Sequence, residues 1–211
     1  MRFGTIPLDE AEGGILVHSV RATDRLLKKG RILTHGDVDA LKTADLREIT
    51  VAKLEAGDVP EDIAATHIAE VLKGDGIRMG ASFTGRANLY AQVSGLVVLD
   101  TDRIDAVNAI DESVTVATLA PYTVVEPGEM VATVKIIPFA APERAVAAAV
   151  AASGQAPVRV APFQPKRTAL ISTQLPGQKS SLLDKNRSAL EARLAPLGSV
   201  VVFEEIGRAH V

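Results

Sequence analysis

The stretch KRTALISTQLPGQKSSLLDKNRSALEARLAPLGSVVVF, residues 166–203, decides how the chain is read. Residues 168–172 make an apolar run of strand length, and residues 175–181 hold Pro176, Gly177 and two serines, which is loop chemistry. A helical pattern follows from Asp184, with Leu190, Leu194 and Leu197 at i, i+4 and i+7. Gly198 stops it, and Val200, Val201, Val202 and Phe203 form a second apolar run. Two strands joined by a helix predict a βαβ unit whose strands run parallel. Ligands of such sheets sit beyond the carboxyl ends of the strands, which points to the loop at 173–183.

Working outward, the 211 residues suffice for one large domain or two small ones. With 47% hydrophobic and 23% charged residues the composition is globular rather than disordered. A net charge of −3 argues against a general nucleic-acid binder, whose surface would be basic. The absence of cysteine excludes disulfides, thiolate metal sites and cysteine nucleophiles. Tryptophan is absent too, so the core must be aliphatic and alanine-rich. Acidic residues stand where a signal peptide would carry its apolar core, and charges and prolines break the longest apolar region, residues 130–152. The expectation is a cytoplasmic protein without a membrane partner.

The N-terminal third predicts a small α+β unit. Residues 15–20 read as a strand, and Arg25, Lys28, Lys29 and Arg31 surround Gly30 as either a solvated turn or a phosphate-facing surface. Thr34 and Asp37 form a capping-box pattern ahead of Val38 and Leu41. Residues 48–54 read as a strand, and Pro60, Glu61 and Asp62 open a helix with Ala64, Ile68, Val71 and Leu72 on its buried face. The next section predicts a compact sheet or barrel, with strands near FTGRANL (residues 83–89), 114–119 and 130–137. A short helix there carries Ile104, Val107 and Ile110, capped by Thr101 or Asp102. An alanine-rich helix runs from Pro142 to Gly154, and Pro157, Pro162 and Pro165 look like a linker. The expected division is therefore 1–76, an α+β domain; 77–141, β-rich; 142–165, helix and linker; and 166–204, the βαβ start of a doubly wound α/β domain.

Several groups could carry chemistry. The string GQKSS at 177–181 is no Walker loop, because Gln178 separates glycine from lysine and position 173 is threonine. Lys179, Ser180, Ser181 and the backbone amides of a helix N-terminus could nevertheless hold a phosphate, against the alternative of an ordinary polar loop. Asp184 reads as a simple N-cap, or together with Asn186 as an acceptor–donor pair for a pterin ring or ribose; Ser172 and Thr173 face the same loop. Thr84, Arg86 and Asn88 are polar groups in an apolar setting, and Arg86 is either a surface arginine or an anion contact. Lys135, inside VATVKIIPF, is expected on the solvent side. The four histidines lack metal-site spacing, so no protein metal site is expected.

The segments EGGILVHSVR, RLLKKGRIL, LEAGDVPEDIAA, FTGRANLYA, MVATVKIIPFA and RTALISTQLPGQKSSLLDKN resemble a bacterial molybdopterin-binding family. Its members are similar to the molybdopterin molybdenumtransferase at the front, and many carry a domain like the molybdenum cofactor cytidylyltransferase at the back. The resemblance implies a role in molybdenum cofactor biosynthesis and a Mog-like domain at 166–204. It also implies molybdopterin or its adenylylated form as ligand, Mg²⁺ for phosphoryl or nucleotidyl transfer, other cofactor-biosynthesis proteins as partners, and a homodimer. Asp184-Lys185-Asn186 matches the Asp-x-Asn at the first helix of the transferase domain. Where that domain has Ser-Thr-Gly-Asp-Glu, this chain has Ser172-Thr173-Gln174-Leu175-Pro176, so the acidic pair is missing, which weighs against classical molybdate insertion here. The molybdopterin-binding set implied is Ser172, Thr173, Lys179, Ser180, Ser181, Asp184 and Asn186, with Arg86 as an anion contact.

Residues 205–211, EIGRAHV, are what GAG ATC GGA AGA GCA CAC GTC encodes, a string resembling a common sequencing adapter. They are expected to be artefactual, the natural protein to continue, and the fragment to be inactive with a poorly supported last strand. The alternative is a non-catalytic molybdopterin-binding or scaffold module in which residues 1–140 form an interaction domain.

Overall fold

The computed structural model describes residues 1–174, 177 and 179–208. Most of the expected loop at 175–178, and His210 in the tail, lie outside the described residues. The fold is mixed α/β, with five α-helices and several small, mainly antiparallel sheets among the described residues.

The N-terminal unit holds β1 (Arg2–Pro7), β2 (Ile15–Leu16), β3 (Val20–Arg21), β4 (Leu26–Leu27), α1 (His35–Thr43) and β5 (Glu48–Lys53). β5 lies between β1 and β2, antiparallel to both. Its core is Leu8, Leu16, Leu27, Leu33, Val38, Leu41 and Val51, with smaller neighbours. The capping box at Thr34 forms as the sequence expects: Asp37 N donates to Thr34 Oγ1, and Thr34 N donates back to the Asp37 carboxylate.

The central unit comprises β6 (Asp58–Pro60), α2 (Glu61–Leu72), β7 (Ile77–Met79), β8 (Arg86–Ala91), β9 (Gly95–Leu99) and α3 (Thr101–Asn108). It continues with β10 (Val114–Thr118), β11 (Val124–Val125), β12 (Met130–Ile136), β13 (Ala140–Pro142), α4 (Glu143–Ser153) and β14 (Val158–Pro162). One antiparallel sheet has the order β10-β12-β8-β7, a second the order β11-β9-β14. α2 presses Ala65, Ile68 and Leu72, all fully buried, into the same cluster as Leu89, Val134, Val97 and Val160. Each fully buried Ile or Leu contributes about 1.5–3 kcal/mol, so α2 is anchored in this core. The core thus joins α2, expected with the N-terminal part, to strands expected after residue 77.

Two local readings are corrected. The cap of α3 is Asp100, not Thr101 or Asp102; Asp100 is extended and its carboxylate accepts from Arg103 N at 3.2 Å. The proline-rich segment taken for a linker contains a strand: Val158 and Val160 are buried, and 158–162 pairs with β9. Its prolines are tolerated because β14 is an edge strand and Pro162, which lacks an N–H, is its last residue.

The C-terminal unit is β15 (Arg167–Gln174), α5 (Ser180–Leu194) and β16 (Val200–Arg208), and the two strands pair in parallel as the βαβ reading requires. Gly198, with φ 66°, adopts the left-handed conformation that ends the helical segment. α5 covers one face of the pair through buried Leu183 and half-buried Leu190 and Leu194, while Leu197 is exposed. On the opposite face Ile171 is 70% and Phe203 53% exposed. Parallel strands are ordinarily covered on both faces; here only one is. Glu205 to Gly207 belong to β16 and pair with Ile171 to Thr173. No helix among the described residues is long and apolar enough to cross a membrane.

Candidate functional site

The loop after β15 leads to the N-terminus of α5, and the site expected there can be followed residue by residue. Ser172 is buried beneath α5 and Thr173 points to the exposed face. Lys179 occupies the N-cap position of α5 in extended geometry without a side-chain capping bond, and Ser180 and Ser181 are the first two helical residues, both exposed. Among the five α-helices described, the other four carry an acidic residue in the first turn; α5 carries none. The positive end of its dipole is therefore not offset by a carboxylate and is flanked by a lysine.

Asp184 is not the N-cap. The helix begins four residues earlier, because Lys179 takes the extended conformation that the cap requires. Asp184 lies one turn below Ser180, on the same side. Asn186 is two residues further, about 200° around the helix, so the two side chains face opposite sides. Both are exposed. The structure thus places Ser180, Ser181 and Asp184 on one side of α5, with Lys179 at its N-cap, and leaves Asn186 off that side. Arg187 ties α5 to β16 through Glu204 at 2.6 Å.

Arg86 lies far along the chain in the central sheet, exposed, and directly opposite Lys135 across the β8–β12 ladder. Asn88, on the same outer face, accepts from Thr133 Oγ1 at 2.7 Å and donates to Tyr90 Oη at 3.2 Å. Arg78 stacks over the Tyr90 ring at 4.5 Å.

A concave region lies elsewhere, built from segments that share no sequence motif. FTGR makes a two-residue hairpin in which Thr84 (φ 51°) and Gly85 (φ 69°) are both left-handed, while Phe83 and Arg86 exchange backbone hydrogen bonds. This is the geometry of a type I′ turn. For a β-branched residue the left-handed region costs about 1–2 kcal/mol, and tertiary bonds hold it in place. The Asp62 carboxylate accepts from Gly85 N at 2.7 Å, Ile136 N donates to Gly85 O at 2.7 Å, and Lys135 Nζ donates to Thr84 O. Beside this turn lies a cleft of about 380 Å³ between the N-terminal and central units, into which Lys29, Glu61 and Lys135 all project. Lys29 Nζ sits 5.7 Å from the centre of the Phe139 ring. Burial pushes the Glu61 carboxyl above its ordinary value, and the charges of Lys135 and Lys29 only partly offset this. The hairpin signal Thr-Gly between strands, and the charged residues Lys29, Glu61 and Lys135 in three separate segments, were visible in the sequence; their convergence was not.

The basic cluster around Gly30 divides by role. Arg31 grips the fully buried Asp37 carboxylate with Nε at 2.8 Å and Nη2 at 3.0 Å, and Arg25 adds a contact at 3.2 Å. The Arg31 guanidinium, with the bonds from Thr34, holds the Asp37 carboxyl well below the usual carboxylate range despite its burial. Lys29 makes no ion pair among the described residues and is the member of the cluster that faces the cleft.

Among the described residues no group of three or more His, Asp or Glu side chains is placed to hold a metal ion. No curated protein and no solved structure matches the chain. Its N-terminal segment is similar to a domain of unknown function (DUF8806), whose family model matches residues 5–53, the span from β1 through β5.

Proposed function

We propose that the chain acts in cytoplasmic molybdenum cofactor biosynthesis by binding molybdopterin or its adenylylated form, with β15–α5–β16 as the opening of a Mog-like doubly wound domain. The observation that carries this reading is the N-terminus of α5. It follows the carboxyl end of a strand in a parallel βαβ unit, Lys179 is its N-cap residue, its first turn opens with Ser180 and Ser181, and that turn lacks both an acid and a side-chain cap. That is a donor set for the terminal phosphate of the pterin ligand. Asp184, on the same side of the helix, is an acceptor for a donor on the ligand's body. The resemblance of FTGRANL and MVATVKIIPFA to the molybdopterin-binding family supports the same assignment. With one loop and one helix end supplying the contacts, binding is weak and phosphate-dependent.

Anaerobic titration with molybdopterin, followed by pterin fluorescence after oxidation, tests it. Saturable binding that K179A combined with S181A weakens about tenfold is expected, the loss of charge-assisted bonds being worth about 1.5–3 kcal/mol. Absence of saturable binding, or equal binding by parent and variant, would overturn the reading.

A further inference from the structure

We propose that the cleft beside the Thr84–Gly85 turn is a second ligand site, independent of α5, that binds a small organic phosphate monoester. Two ammonium groups reach it from different parts of the chain: Lys29 from the turn after β4 and Lys135 from β12. Neither is consumed by an ion pair among the described residues. Lys135 uses one of its three donors on the Thr84 carbonyl and keeps two. Among the described residues no arginine lines the cleft. The cations are therefore point charges arriving from separate directions, which suits a tetrahedral dianion better than a planar carboxylate, whose preferred partner is a guanidinium fork.

The volume, about 380 Å³, falls in the range of small-molecule pockets and exceeds what inorganic phosphate alone would fill. Ile137, Pro138 and the Phe139 ring make the apolar part of the lining, beside Gly30, Thr84 and Glu61. An anionic head on the lysines and an apolar or aromatic body against Phe139 describe the occupant. Glu61 limits the affinity. Its carboxyl shares the cleft with the two lysines and opposes an incoming anion, while Asp62 beside it is turned onto the Gly85 amide. The Thr84–Gly85 turn is held rigid by three bonds and brings the Thr84 carbonyl to Lys135. A Cβ on Gly85 would come within 2.6 Å of Glu61 Oε2, so the turn and the carboxylate are packed against one another.

Phenyl phosphate, titrated at low ionic strength and read by ³¹P NMR and calorimetry, is the probe, with phenol and inorganic phosphate alongside. Saturable binding of phenyl phosphate is expected, weaker binding of inorganic phosphate, and none of phenol. K29M with K135M lowers affinity about tenfold or more, as loss of charge-assisted contacts requires, and the Arg replacements at both positions restore part of it. E61Q tightens binding about three- to tenfold by removing an opposing charge. The component of binding that the Lys29–Lys135 pair carries persists in K179A. Failure to saturate at millimolar probe, or a K29M/K135M variant that folds by circular dichroism and binds like the parent, overturns the proposal. Loss of binding on K179A but not on the lysine pair places the phosphate at α5 instead and also refutes it. If the double variant does not fold, K29M alone, an exposed position, must still weaken binding.

Discussion

Replacing Asp37 by asparagine should destabilise the N-terminal unit by about 3 kcal/mol at pH 7. The carboxylate is fully buried, receives two parallel bonds from Arg31 and one from Arg25, and closes the capping box of α1 by accepting from Thr34 N and Oγ1. Breaking a buried pair from one side costs about 3–5 kcal/mol when the survivor stays desolvated. Arg31 is about half exposed, so its freed guanidinium is rehydrated and the ionic part falls to about 2 kcal/mol. Loss of the reciprocal cap adds about 1 kcal/mol. The chain has no tryptophan, so urea unfolding should be followed by far-ultraviolet circular dichroism. D37N should lower the midpoint of the phase that reports the N-terminal core. A cycle with R31M should show coupling of about 1–2 kcal/mol. Coupling below about 0.5 kcal/mol would refute the buried-pair account. The pH dependence has a defined sign. The folded carboxyl ionises below its unfolded value, so its contribution is complete above about pH 4 and is lost as pH falls towards the folded pKa; in D37N this acid-side loss should shrink.

Other consequences are as direct. Asn108 of α3 covers the edge of β10, donating from Nδ2 to Val116 O at 2.9 Å and accepting from Val116 N at 2.7 Å. N108A leaves two backbone groups of a buried residue unpaired and should cost about 2–3 kcal/mol in urea unfolding. G85A places a Cβ 2.6 Å from Glu61 Oε2 and 2.8 Å from Ile136 O at a φ of 69°, and should cost about 2 kcal/mol or more. Glu61 shifts the other way from Asp37. Its folded pKa is raised, so the folded state loses stability as pH rises through it; E61Q should therefore raise the unfolding midpoint at pH 7 and leave it nearly unchanged at pH 4.

Local elements were legible wherever a short-range rule decided them. Thr34 and Asp37 announced the start of α1, Gly198 the end of the last helical segment, and the apolar runs at 168–172 and 200–203 the parallel pair. The start of α5 was misread by four residues because its cap is the backbone conformation of Lys179, with no side-chain signature. The strand at 158–162 was hidden by prolines whose cost vanishes at a sheet edge, and edge position is a tertiary fact.

By itself the sequence determined the mixed α/β class, the parallel βαβ unit and the candidate residues around its loop, because periodicity, capping and turn chemistry act over a few residues. Only the tertiary structure decided which of them stand together. It separated Asp184 from Asn186, since two residues along a helix span more than half a turn. It gave Arg25 and Arg31 to Asp37 and left Lys29 for the cleft. It also set Lys29, Glu61 and Lys135 around one cleft, although they are separated by tens of residues along the chain. No local pattern encodes that meeting, because it follows from how α2, the Thr84–Gly85 turn and β12 pack against the N-terminal unit.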